Sequence, residues 1–534
     1  MAAAQVNYQV NAPVADEPQM VVAPNASSDP QTTKQDYEAL CEKLKEISTL
    51  SGISGLLGWD EMVMMPNGAA ACRAAQKAAM AGILYDKQTS PELGNILQKL
   101  EGAASSNDFD PFQRAVIREA RRDWVRTVKI PKRIAKRRAE LESEGYQAWV
   151  TARSEKDFSK FAPVLEEWVA LVRESSQLVD PSRPAYDVAL EEFEKGMTAA
   201  RLDEVFTQVR EGLVPLIAAI REKGTPPDTS VLQGTLDTGA QAALCNSIAK
   251  ELGFNLECGR LDVSVHPFTG GSHPTDVRMT TRFKEGDLTE GLTGAIHETG
   301  HALYEQGRNL AYDGLPVNQA LSMGVHESQS LLWERMVALS LPFSRYLAPK
   351  LTAAFPQLAN LQAEQLYGAL NAVKKESMIR VEADEVTYPL HIILRYELEK
   401  ELVEGSVKVE QLPKLWNERM TSYLGCTPAD DAQGVLQDVH WSAGLFGYFP
   451  TYTLGAMFAC QIYQAAQKDL PGLAEDIAAG KFGGLKAWLN EKIHASGSLH
   501  PSGDELMIAA TGSPLDPSIF LSYLTDKYSA LYKL

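Results

Sequence analysis

The sequence predicts a mostly α-helical fold interrupted by one small β element, and three observations carry that prediction. Apolar residues recur at three- and four-residue steps, as at Tyr37, Leu40, Leu44, Ile47 and Leu50 and again at Leu202, Val205, Phe206, Val209, Leu213 and Leu216. That spacing lines one face of a helix, and similar stretches follow near residues 290–308, 319–340, 361–404 and 453–468. One region reads differently. Leu261–Val265 alternates apolar with polar residues, Val277–Phe283 is extended in character, and Gly270-Gly271-Ser272-His273-Pro274 between them has turn chemistry, which predicts a small antiparallel hairpin. The third observation is size: 534 residues, 45% of them hydrophobic, can bury one large core or two ordinary ones.

In chain order, residues 1–35 are rich in Ala, Pro, Asn, Gln and Ser without sustained apolar periodicity, so a disordered extension is expected there and one folded unit over 36–534. No internal repeat of fixed period is visible. Gly58-Trp59-Asp60 reads as a buried Trp with a helix-capping Asp. The run from Arg114 to Arg138 interleaves many Lys and Arg with apolar residues and predicts a helix pair with a solvated basic face. The hairpin falls directly before the next helical segment, where a sheet edge could receive an extended peptide as an added strand.

The formal net charge of −18 excludes nucleic-acid or anionic-membrane partners, whose surfaces would repel it. The six cysteines are scattered without a paired spacing, as reduced cytosolic thiols are. No window reaches the roughly 20 apolar residues of a membrane span. A secretory leader is not recognisable either, and Asp16, Glu17 and Asp29 precede the first basic residue, Lys34. A cytoplasmic protein is expected, with organellar import left open.

The chemistry concentrates at His297-Glu298-Thr299-Gly300-His301. In a helix, positions i and i+4 share a face, so His297 and His301 can present two imidazoles to one metal ion, with Glu298 beside the water it would hold. No proline falls between Asp287 and Tyr312 to break that helix. A hydrolytic site needs a third protein ligand and one open position. Glu327, within His326-Glu327-Ser328-Gln329 at the start of the next helical run, is the candidate.

These residues belong to a longer series: Gly58-Trp59-Asp60 with Met65-Pro66, His266-Pro267-Phe268, Asp276-Val277-Arg278-Met279-Thr280, the two motifs above, Ile379-Arg380 to Ala383-Asp384, and Gly434 to His440-Trp441. In order and content the series closely resembles the Taq-type thermostable metallocarboxypeptidases. The resemblance runs from about Tyr37 onward and implies that 36–534 is a metallocarboxypeptidase catalytic domain. It implies a large helical fold with a deep substrate groove, one zinc per subunit with cobalt able to substitute, and a homodimer. It further implies release of single carboxyl-terminal residues from short or unfolded peptides with broad specificity, proline at that terminus being a poor substrate.

Within that frame Glu298 is expected to act as general base on a metal-activated water. Oxyanion donors are expected from His440 and Tyr452, with Tyr448 as the substitute, because an imidazole and two phenols lie close in sequence there. A terminal carboxylate calls for an arginine fork. Arg380, in a motif resembling the family's groove-closing segment, is favoured over Arg278, and an internal ion pair with Asp384 or Asp276 is the alternative for each. His266 and Gln437 complete the expected substrate contacts. His273, His391, His494 and His500 have no motif context. An oligoendopeptidase on the same scaffold shares all of this chemistry and differs in whether an arginine closes the groove beyond the metal.

Overall fold

Side-chain spacing becomes helix along nearly the whole chain in the computed structural model, which describes residues 30–103 and 109–534. The first helix, Pro30–Val63, starts inside the segment expected to be disordered; residues 1–29 lie outside the described residues. Two apolar cores form. A small one joins the amino-terminal helices through Leu40, Leu97, Leu100 and Val116 and rests on the main body at Leu315 and Val317. The large one runs from Ile134 to Tyr532. Among the described residues no helix is long and apolar enough to cross a membrane, and all six cysteines are free thiols.

The β element is a three-stranded sheet and not the simple hairpin expected. Strands β1 (Gly259–Val263) and β3 (Asp276–Thr281) pair in parallel, and β2 (Thr269–His273) pairs antiparallel with β3 on its other edge. The glycines read as a turn are part of β2, and the turn is Pro274-Thr275. Their smallness serves a close backbone approach. The first helix lies directly on β2, so close that a Cβ on Gly55 would sit 2.6 Å from the Gly271 carbonyl oxygen.

Two other expectations change. Pro111–Lys129 and Lys132–Glu155 do form the predicted basic helix pair. The face is not a bare basic one, however: Arg126 pairs with Glu192 at 2.5 Å, Arg133 with Glu174 at 2.5 Å and Arg137 with Glu144 at 3.0 Å. Trp59 is buried as expected, but Asp60 sits inside the first helix and caps nothing; it binds Arg73 at 2.6 Å.

Candidate metal centre

The helix Leu288–Gln306 begins at Asp287, whose side chain accepts the Glu290 N–H, and carries His297, Glu298 and His301 on its buried length. A second helix, Met323–Leu331, is capped by Ser322 and by the buried carboxyl group of Glu194, which accepts the Gly324 N–H. These two helices cross at Gly300, where a Cβ would lie 2.5 Å from the Gln329 carbonyl oxygen. The helix Pro450–Asp469 packs on the other side through Gly455, where a Cβ would lie 2.8 Å from Cγ of Glu327. Two missing side chains thus make the room through which Glu327 reaches the histidines.

Oε2 of Glu327 lies 3.3 Å from His301 Nε2 and 3.7 Å from His297 Nε2. One ligand atom from each of the three residues falls within 4.8 Å of the others. Each ring is fixed through its remote nitrogen. His297 Nδ1 is 2.7 Å from Glu334 Oε2, and His301 Nδ1 is 2.6 Å from His326 Nδ1, whose Nε2 continues to Glu305 at 2.7 Å. The inward nitrogens are left to face the cluster, and His301 Nε2 is buried without a hydrogen-bond partner. An imidazole pair and a carboxylate, each oriented from behind, form a donor set that fits one divalent ion.

The electrostatics agree. Burial alone would raise the Glu327 carboxyl, but His297 and His301 outweigh it and hold it down at about 2. At His297, burial favours the neutral ring, yet Glu327 and Glu334 reverse this and hold its proton up to about 9. A metal entering the cluster therefore displaces a proton. Burial lowers His301.

Glu298 is buried beside the cluster, and Thr269 of β2 donates to its Oε2 at 2.7 Å. His440 Nε2 and the Tyr452 hydroxyl are 3.0 Å apart, and the rings of Tyr448 and Tyr452 lie 5.4 Å apart, edge to face. Burial and the nearby Arg380 cation hold His440 neutral, down to about 3.

Both arginines form internal ion pairs, at different depths. Arg380 is 2% exposed, paired with Asp438 at 2.7 Å and donating to the Tyr388 hydroxyl at 2.9 Å, so the internal ion pair is realised, with Asp438 and not Asp384. Gln437 is also turned inward, accepting from the Arg380 N–H at 3.1 Å and from Arg395 at 3.0 Å while donating to the Met378 carbonyl. In this position it braces Arg380. Arg278 pairs with Asp276 at 2.8 Å but keeps a quarter of its side chain exposed. His266 is exposed on the loop between β1 and β2. Of the remaining histidines, His273 pairs with Asp313, His391 is buried against Ser377, and His494 holds Gln329 at 2.9 Å. His500 joins no part of the cluster.

Sequence reasoning missed Glu334, Thr269 and Asp438. Glu334 stands two turns beyond Glu327, so helical spacing could have found it. Thr269 reaches Glu298 only through the tertiary fold and left no local signal.

Residues 39–528 match the model of the carboxypeptidase Taq (M32) metallopeptidases. Thermostable carboxypeptidase 1 of Thermus thermophilus is 40% identical over 94% of this chain and 100% of its own length. Carboxypeptidase 1 of Bacillus subtilis is 37% identical over 92% of this chain and 97% of its own. The crystal structure of the M32 carboxypeptidase from Deinococcus radiodurans superposes with a TM-score of 0.90 at 36% identity, over 94% of this chain and 100% of that one.

Proposed function

Because the chain belongs to the carboxypeptidase Taq (M32) family and is therefore a metallocarboxypeptidase, we propose that His297, His301 and Glu327 hold one zinc ion per subunit, with Glu298 as general base. The convergence of three ligand atoms next to Glu298, each imidazole held through its other nitrogen, is the observation that carries this reading. When bound, a divalent metal polarises a carbonyl and makes a water acidic enough to attack near neutral pH. Glu298 then takes the proton of the attacking water on its carboxylate and delivers it to the leaving amine, while the hydrogen bond from Thr269 to Oε2 restrains that carboxylate. In the tautomer with the proton on Nε2, His440 donates to the Tyr452 oxygen and leaves the phenol proton free for the developing oxyanion. Tyr448 is the substitute donor.

Of the two arginines, Arg278 is the more exposed and so the candidate for a substrate carboxylate, with His266 as a further candidate contact; Arg380 acts through Tyr388 and Tyr452 as a positioning residue. The resemblance supports broad specificity with poor release of proline, cobalt as a working substitute, and a cytoplasmic homodimer. Sedimentation at working concentration tests the dimer.

The decisive measurement compares an amino-blocked dipeptide with the same peptide amidated at its carboxyl end, using zinc-loaded protein and mass spectrometry. Release from the free carboxylate alone is expected. Equal cleavage of both would favour an oligoendopeptidase and remove the exopeptidase reading.

A further inference from the structure

The helix Pro450–Asp469 turns Tyr452 and Gly455 toward Glu327, while Tyr463, Gln464 and Gln467, farther along it, wall a separate cavity of about 400 Å³. None of the three candidate ligands lines it. The opposite wall is the helix Pro517–Tyr532, and the floor holds Arg335 and Met336, just after Glu334 on the wide helical turn Leu332–Ala338. This volume lies in the range of small-molecule sites.

Arg335 is the feature that asks for a ligand. It is 8% exposed, and its Nη1 is buried with no hydrogen-bond partner. Among the described residues no carboxylate lies within ion-pair distance of it; its nearest organised contact is the Tyr388 ring, 5.3 Å from the guanidinium carbon. The neighbouring cation cannot explain the gap, because Lys527 is satisfied by Glu385 at 2.8 Å. A guanidinium that lines a cavity and is in no ion pair among the described residues matches a carboxylate. Met336, Leu339 and Ile519 add apolar wall, and the exposed carboxylate of Asp526, in no ion pair among the described residues, stands on the same cavity.

We propose that this cavity binds a small carboxylate with an apolar tail, its carboxylate on Arg335, and that Asp526 favours molecules carrying an ammonium group, as a free amino acid does. The cavity shares no lining residue with the candidate zinc ligands, although Arg335 follows Glu334, the brace of His297, and the proposal does not depend on which peptide bond the enzyme cuts. Tyr388, which contacts both Arg335 and Arg380, links its floor to the Tyr452 side of the molecule.

Calorimetric titration of the zinc-loaded full chain with L-leucine, L-leucinamide and 4-methylpentanoate tests the proposal. Leucine can also occupy the catalytic groove as a released residue, so two variants isolate the cavity. Arg335→Met removes the fork, and Ser522→Trp fills the cavity from an exposed position on its wall. The wild type is expected to bind one leucine more than Ser522→Trp, with that event weakened at least about tenfold in Arg335→Met, as loss of a charge-assisted pair predicts. Leucinamide is expected not to fill it, and 4-methylpentanoate to fill it more weakly than leucine. Identical titrations for wild type and both folded variants, or leucinamide binding as well as leucine, would overturn the proposal.

Discussion

Glu298 is held by Thr269 and touches no residue of the ligand cluster through an ion pair, so the general-base role proposed for it is separable from metal binding. Glu298→Gln is expected to lower kcat by about 10²–10⁴, the usual worth of a positioned general base, with zinc content unchanged by elemental analysis. A different signature belongs to the groups behind the histidines. His326 fixes His301, and Glu334 fixes His297. His326→Ala or Glu334→Gln is expected to weaken zinc affinity by about 10–100-fold, read by competition with a chelator of known Kd. A fall in kcat with no change in affinity would remove that role.

Helices meet at the centre where side chains are missing. Gly300→Ala would push the motif helix off the Gln329 carbonyl, and Gly455→Ala would press on the Glu327 side chain. Both are expected to lose zinc and to lower Tm, the first more, because its obstacle is backbone and cannot rotate away. On the far side of the site, the segment from Gly434 to His440 is tied to the 380s by one buried carboxylate, Asp438, shared by Arg380 at 2.7 Å and Arg395 at 2.6 Å. Asp438→Asn leaves two buried guanidinium groups short of a counter-charge and is expected to destabilise the fold by about 3–5 kcal/mol in denaturant titration.

Across the whole molecule, stability should depend on pH through Glu194, which caps the Glu327 helix from another part of the chain. Burial lifts its carboxyl from an ordinary 4.5 to about 8. A raised folded-state pKa gives stability that is complete below the ordinary value and is lost as pH rises through the folded value. Wild type should therefore weaken relative to Glu194→Gln between about pH 4.5 and 8, by at most about 1.4 kcal/mol per pH unit. Thermal unfolding of the pair across that window measures it, and parallel Tm curves would exclude the effect. Glutamine keeps an acceptor for the Gly324 N–H, so the capping bond itself is retained.

Local chemistry made much of this protein legible in its sequence. Helical periodicity, the i and i+4 histidines and the ordered motifs are short-range patterns, and a helix converts them directly into a shared face. The three-stranded sheet, the inward turn of Arg380 and Gln437, the Thr269 contact to Glu298 and the brace of Glu334 were decided by the tertiary structure alone. Each joins residues from different elements, and which partner a buried charge or a glycine-rich strand finds depends on what the fold packs beside it. Arg380 shows the reason most plainly. Its sequence neighbours offered Asp384, while burial demanded the strongest available counter-charge, and the fold supplied Asp438.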